Sequence, residues 1–354
     1  MTPQLFIKSL RNARNAVSIN INRRMGREFI PRHHHVLHIE TSAVCNLDCC
    51  FCAYGKKLTP KVTMPEELFE SCVKQAMEIG YNEIDLTPCT GDVFMDRGLF
   101  DKLEFLERAP AVRAYGFYTN FTIPRPQDID RLVRLKKLSG VGISVYGHDL
   151  ATFKLITKAN DKLYRRLIDN IEHLFAVTRG MKIPVHFAIH PGAKSLRGRK
   201  SELLDVIEKF KKAGASAKSS KGLYNNWGGY ITQDDVKGLP IEVGAPDMIY
   251  KNGACVRLFT SVQVMATGIV NGCAARDTGA TLQLGDVKQT PLRDLISSRN
   301  PAYMDMIEEQ QRGEFRPVCR DCDFYSSIYH KSSNYAHGEG LQSLAEFKAA
   351  IRRT

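Results

Sequence analysis

Apolar and polar positions along the first two-thirds of the chain fall into short blocks whose period switches between strand and helix. Val36–Thr41 is a compact apolar run that reads as a buried strand. Downstream, Leu68, Phe69, Cys72, Val73, Ala76 and Met77 recur at helical spacing. They follow Thr63-Met64-Pro65-Glu66, which predicts a capping box with proline in the first turn, and Gly80 closes the helix. Asn82–Thr87 predicts a second strand, Gly98–Arg108 a helix, Arg113–Thr119 a third strand and Asp128–Lys137 a helix. Val141–Tyr146 predicts a fourth strand, with helical segments continuing to about Thr178. Ile183–His190 is a fifth strand, Lys200–Lys212 a helix, and Ser216–Tyr224 a sixth strand. Strand and helix alternating over short connections mean parallel strands joined by right-handed crossovers. The pattern stops near residue 225, so the expected fold class is α/β, an open partial (β/α)6 TIM-like barrel over residues 36–235.

Ligands of such sheets bind at the carboxyl ends of the strands. A cysteine-rich loop, Thr90-Gly91-Asp92, Thr119-Asn120 and Tyr146-Gly147 all fall at those ends. Beyond residue 250 the texture changes. Phe259–Ala266 and Ile269–Cys273, joined by Thr267-Gly268, predict a β-hairpin. Helices follow at Pro291–Ser298 and Pro301–Arg312, and the segment ends in Cys319-Arg320-Asp321-Cys322. We expect a small second domain over 250–325, built around metal. Residues 1–35 are basic, with a helix expected to lie against the main domain and surface attachment as the sharper alternative. Residues 326–354 form a polar tail, helical from Leu341, and His33-His34-His35 reads as native surface.

The chain has 354 residues, 43% hydrophobic, enough for a large core and a smaller one. No run of about 18 apolar residues occurs, so no membrane span is expected. The N-terminus lacks the apolar stretch and cleavage site of a signal peptide. Net charge is +12. Two bound iron–sulfur clusters would offset roughly three of those charges. The basic residues are scattered rather than interleaved with aromatics, which argues for an acidic cofactor and substrate and against nucleic acid.

Of ten cysteines, seven fall into two groups with metal-ligand spacing, leaving Cys50, Cys72 and Cys89. That usage suits a reducing cytoplasm, where thiols stay free for metal. Cys45, Cys49 and Cys52 stand at C-x3-C-x2-C. Three thiolates hold three irons of a [4Fe–4S] cube and leave the fourth iron open to bind and reduce a ligand. Zinc would need a fourth protein ligand. Cys255, Cys273, Cys319 and Cys322 make a closed four-ligand set, suited to a [4Fe–4S] cluster, with zinc as the other candidate.

The first group, with Ile39-Glu40-Thr41 leading into Cys45-Asn46-Leu47-Asp48-Cys49 and Phe51 before Cys52, resembles the radical S-adenosylmethionine superfamily. The second resembles the Twitch domain, the shortened form of the SPASM domain; no cysteine follows Cys322, so a second auxiliary cluster is not expected. The resemblance implies that the open iron binds S-adenosylmethionine and that its cleavage yields a 5′-deoxyadenosyl radical. It implies an external one-electron reductant such as flavodoxin or ferredoxin. It also places roles on particular residues. Thr90-Gly91-Asp92 stands where the family has Gly-Gly-Glu against the methionine amine. Ser144 matches a position that meets the ribose. Lys158 stands where many relatives have an arginine against the methionine carboxylate. Thr119-Asn120 resembles a Thr-Asn-Gly turn with Phe121 in place of glycine.

Relatives with this four-cysteine spacing include dehydrogenases acting on a secondary alcohol of a cyclitol. The leading expectation is therefore oxidation of a small hydroxylated substrate, with the auxiliary cluster as electron acceptor. Tyr224, His190 and Arg276 are candidates for taking the hydroxyl proton, and Trp227 for packing over the site. Cys89 precedes the Thr-Gly-Asp turn and as a hydrogen-atom donor would make the enzyme a redox-neutral epimerase. Maturation of a ribosomal peptide is a third possibility, ranked lower because no winged-helix-like segment for a leader peptide is apparent. A cluster-bearing redox sensor is a fourth.

Overall fold

The computed structural model describes residues 3–32, 36–178, 184–331 and 340–352. The His33–His35 run lies outside them. The sheet is built from β1 (Val36–Ile39), β2 (Glu83–Asp85), β3 (Ala114–Thr119), β4 (Leu138–Tyr146), β5 (Val185–His190) and β6 (Ser216–Ser219). These six are parallel and lie in sequence order. Helices cross between them: Glu66–Glu78, Leu99–Arg108, Pro126–Leu132, Leu150–Thr157 with Asp161–Val177, and Glu202–Lys212. The expected partial (β/α)6 barrel is borne out. Burial alternates along β1, β2, β3 and β5. Leu37 and Ile39 face the helices and are buried, while His38, Asp85, Ser144 and His190 face the lumen. The crossover helices bury one stripe each; in Glu66–Glu78 it is Phe69, Cys72, Val73 and Ala76.

Several expectations are corrected. The Thr63 capping box does not form, because Thr63 pairs with Ser42 in an antiparallel bridge; the helix starts at Glu66 with Pro65 at its N-cap. The helix expected over 128–137 is Pro126–Leu132, since the chain must already extend by Leu138 to begin β4. The sixth strand is split, with Leu223–Tyr224 leaving the sheet to pair with Glu242–Val243. In the C-terminal hairpin, Arg257–Thr260 is helical, and the strands are β7 (Gln263–Val264) and β8 (Ile269–Asn271). A further strand, β9 (Gln283–Asp286), follows.

The hairpin does not make a sheet of its own. β7 pairs parallel to β1, giving one nine-stranded sheet in the order β9-β8-β7-β1-β2-β3-β4-β5-β6. The cysteine-bearing C-terminal segment is thereby fixed against the first barrel strand. The N-terminal helix, Pro3–Arg24, rests on that segment rather than on the barrel. Asn12, Asn20 and Asn22 reach backbone and side-chain partners at Tyr250, Asn252 and Tyr329. Ile30–Pro31 pairs with Leu341–Gln342, so the tail is extended there before its helix, Leu344–Ala350.

Candidate active site

The cysteine loop leaves the end of β1 and is held on three sides. Asp92 N–H donates to Val44 O (2.8 Å), Cys50 N–H to Ile156 O (2.9 Å), and Ala43 N–H to Val62 O (2.8 Å). Thr90-Gly91-Asp92 forms the first of these clamps. Gly91 has φ +147, and a Cβ there would lie 2.5 Å from Ser42 O, so only glycine lets the two loops meet. Thr90 Oγ1 lies 2.9 Å from Thr278 Oγ1, tying the turn to the C-terminal segment. Both Asp92 oxygens are engaged within the protein, accepting from Phe94 N–H, Asn120 N–H and the Thr119 hydroxyl. Burial nevertheless pushes its carboxyl up to about 6. Asn120 Nδ2 donates to Asn46 Oδ1 (2.9 Å) and lies 3.9 Å from Cys45 Sγ. Phe121 takes φ +58, the conformation a glycine adopts at no cost, and its buried ring sits against Phe94.

Cys45, Cys49 and Cys52 open onto one cleft of about 530 Å³ between the lumen and the C-terminal segment. Burial pushes these thiols up, Cys45 to about 12 and Cys52 to about 11, so binding of iron must displace their protons. Cys89, Thr90, Gly91, Asp92, Asn120 and Ser144 border the same cleft, as do Arg276 and Trp227. Phe51 belongs to an aromatic wall, stacked on His190 (5.3 Å between centroids) and tilted against Tyr146 (5.3 Å). Burial, then Arg276, lowers His190 to about 4. It is neutral at pH 7, and its Nδ1 has no protein partner.

Two expected site residues lie elsewhere. Tyr224 is behind Phe51 (4.8 Å), with its hydroxyl accepting from Gly192 N–H; it does not border the cleft. Lys158 caps its helix in a left-handed conformation that turns it outward, where its exposed ammonium pairs with Asp48 at 2.8 Å. It is not on the cleft wall.

Cys255, Cys273, Cys319 and Cys322 converge on a second cavity. Burial pushes Cys255 and Cys319 up, and Cys322 to about 12. Three thiols on the first cleft and four on the second cavity are the donor sets of an open and a closed [4Fe–4S] cluster. The two cavities share a wall, formed by Arg257, Arg276 and Phe324. Both guanidiniums lie over the Phe324 ring, at 3.9 and 4.1 Å from its centroid.

Three features had no sequence-based role. Gln310, buried in Pro301–Arg312, accepts from Cys255 N–H (2.8 Å) and donates toward Cys319 Sγ (3.3 Å), bracing two of the four cysteines from one side chain. Nothing in its helical context singles it out. His38 and Asp85 are register partners on β1 and β2, 3.7 Å apart, and both border the cleft. Period-two alternation in β1 would have pointed His38 inward. Glu40 forms a buried ion pair with Lys57 at 3.6 Å.

Residues 255–323 match the family model of SPASM, an iron–sulfur cluster-binding domain. No curated protein matches the sequence. Among solved structures, the fold is similar to that of BtrN in complex with AdoMet and 2-DOIA, at 13% identity and TM-score 0.53, covering 84% of this chain and 95% of that one. It is similar to Streptococcus suis SuiB bound to the precursor peptide SuiA, at 14% identity and TM-score 0.56, covering 93% and 80%. It is also similar to anSMEcpe with bound AdoMet, at 14% identity and TM-score 0.53, covering 90% and 92%. Residues 255–323 are thus matched as an iron–sulfur cluster-binding domain, and the chain shares the fold of these three structures. The matched domain is one that binds an iron–sulfur cluster, and the BtrN and anSMEcpe structures hold AdoMet. Among the described residues, no helix is long and apolar enough to cross a membrane.

Proposed function

We propose that the protein abstracts a hydrogen atom from a small hydroxylated substrate, a sugar, cyclitol or similar, and oxidises a secondary alcohol. The observation that carries this reading is the shared wall: the four-cysteine cavity adjoins the cleft bordered by Cys45, Cys49 and Cys52. When bound, the cofactors supply a 5′-deoxyadenosyl radical on one side of the cleft and a one-electron acceptor on the other. Cys45, Cys49 and Cys52 would hold the first cluster, and Cys255, Cys273, Cys319 and Cys322 the second. Asn120 and the Thr90-Gly91-Asp92 turn hold the first loop in place, and Ser144 stands at the cleft wall beside Tyr146. The Phe51, Tyr146 and His190 rings give the cleft an aromatic wall. His38 and His190, both lowered by burial first, are neutral imidazoles able to accept the hydroxyl proton. BtrN, whose structure holds 2-DOIA, supports a small-molecule ligand; SuiB with its precursor peptide supports a peptide. A flavodoxin or ferredoxin would supply the electron that starts turnover, and the cysteine usage suits the cytoplasm.

Cys89 favours a second reading. Its thiol is buried, pushed well above its ordinary value by burial, and borders the cleft, as a hydrogen-atom donor must. The two readings separate in D2O. Reconstituted enzyme, S-adenosylmethionine and reductant are incubated anaerobically with a panel of sugars, cyclitols and aminocyclitols. Dehydrogenation gives 5′-deoxyadenosine with a carbonyl product lacking two hydrogens, and Cys89→Ala leaves the yield within about twofold. Epimerisation gives a product of unchanged oxidation state that has gained solvent deuterium, and Cys89→Ala abolishes that gain. The second outcome would overturn the dehydrogenase reading.

A further inference from the structure

Residues 225–229 carry a feature that the cluster chemistry leaves unused. Trp227, Gly228 and Gly229 are left-handed in succession, with φ of +52, +66 and +93. A β-carbon on Gly228 would meet Val318 at 2.6 Å, so this turn is packed tightly onto the helix Pro317–Asp321 that carries Cys319. Asn226 fastens it: its Nδ2 donates to Asp321 O (2.6 Å), its N–H donates to Asp323 Oδ1 (3.1 Å), and its Oδ1 accepts from Asp323 N–H (3.2 Å). Left-handed backbone at a tryptophan is costly and persists where the surroundings enforce it. Its effect here is to set the indole beside Arg276, whose guanidinium carbon lies 4.9 Å from the ring centroid.

Both side chains border the cleft, and each has a buried N–H without a protein acceptor: Trp227 Nε1 and Arg276 Nε. Among the described residues, the only acceptor of an Arg276 side-chain hydrogen bond is its neighbour's carbonyl, Ala275 O. Arg276 also borders the four-cysteine cavity and feels Cys322 and Asp323, so part of its charge is balanced on that side. Trp227 does not border that cavity. An indole N–H carries no net charge for a cluster to balance; a buried one is satisfied only by an acceptor. Two neighbouring donor side chains on one cleft wall, each with an N–H that no protein group accepts and one of them cationic, suit an anionic oxygen group.

We propose that the Arg276 guanidinium and the Trp227 indole form a subsite for a carboxylate or phosphate of the substrate, which makes that substrate an anionic hydroxylated small molecule. The proposal rests on the functional reading above, which places the substrate in this cleft. Trp227 is the only tryptophan, so its emission reports the subsite directly. The test uses cluster-loaded enzyme saturated with S-adenosylmethionine, titrated with sodium acetate and with sodium phosphate against sodium chloride at constant ionic strength. A saturable change in emission is expected with one or both oxyanions and not with chloride. Acetate alone marks a carboxylate site, phosphate alone a phosphate site. Arg276→Gln should weaken the response by about tenfold or more, with Arg276→Lys between the two. No saturable response in wild type, or the same response in Arg276→Gln and Arg276→Lys, would overturn the subsite. Iron counts and S-adenosylmethionine binding on the same samples separate the two levels. Full clusters and bound S-adenosylmethionine with no oxyanion response sink the subsite alone, whereas missing clusters sink the reading beneath it as well.

Discussion

Replacing Glu40 by alanine is expected to cost about 3–5 kcal/mol and to lower the unfolding temperature by on the order of 10 °C. Glu40 leaves the end of β1 with 1% of its surface exposed, and its partner Lys57 ends the cysteine loop with a fully buried ammonium. Ala266 N–H, in the turn of the C-terminal hairpin, donates to the same carboxylate (3.3 Å). One side chain therefore joins the first strand, the loop of Cys45, Cys49 and Cys52, and the SPASM segment. Burial pushes the carboxyl above its ordinary value and Lys57 is the main influence opposing this. Removing the carboxylate strands Lys57 without a partner, which is worse than having neither group. The double variant Glu40→Leu/Lys57→Met should accordingly recover most of the loss, and a calorimetric double-mutant cycle measures it. Additive losses in that cycle would show that the pair is not coupled.

The second large effect is expected at Gly91. Alanine there places a β-carbon 2.5 Å from Ser42 O in a backbone region that side chains rarely adopt. The strain costs about 1–3 kcal/mol before the clash is counted. Relief requires Ser42–Val44 to move, and Asp92 N–H holds that segment through Val44 O. The expected result is selective: iron bound by the first loop falls severalfold while the SPASM cluster, more than 160 residues away in sequence, keeps its iron. Measured by iron content after reconstitution, a Gly91→Ala protein with wild-type loading would show that the turn does not position the loop. Equal loss from both clusters would point to global unfolding instead.

The barrel strands were legible because each is an apolar run bounded by turn residues, and their alternation with helical periods dictates parallel pairing. The two cysteine groups were legible from spacing alone. What escaped was set by contacts distant in sequence. β7 pairs with β1 through two residues on each strand, Gln263 with His38 and Val264 with Ile39, too short to leave a pattern. β9 reads Gln-Leu-Gly-Asp, which has turn composition; the sheet edge makes it a strand. Thr63 has the residues of a capping box around it, but Ser42 claims its backbone. Lys158 was assigned by position in a family pattern, and its left-handed cap turned it toward Asp48 and solvent. Tyr224 was expected near a strand end and is there, but Phe51 stands between it and the cleft. Gln310 illustrates the opposite failure: a polar residue on an otherwise ordinary helix, given meaning only by the two cysteines that fold against it.

The proposed chemistry requires that this chain hold two clusters around one cleft. Iron and acid-labile sulfide counted after anaerobic reconstitution test it most directly, on wild type, on a Cys45/Cys49/Cys52→Ala variant and on a Cys255/Cys273/Cys319/Cys322→Ala variant. About eight irons per chain are expected in wild type and about four in each variant. About four irons in wild type, all lost with the first three cysteines, would contradict it, because no cluster would then stand behind the Arg257–Phe324–Arg276 wall to accept an electron.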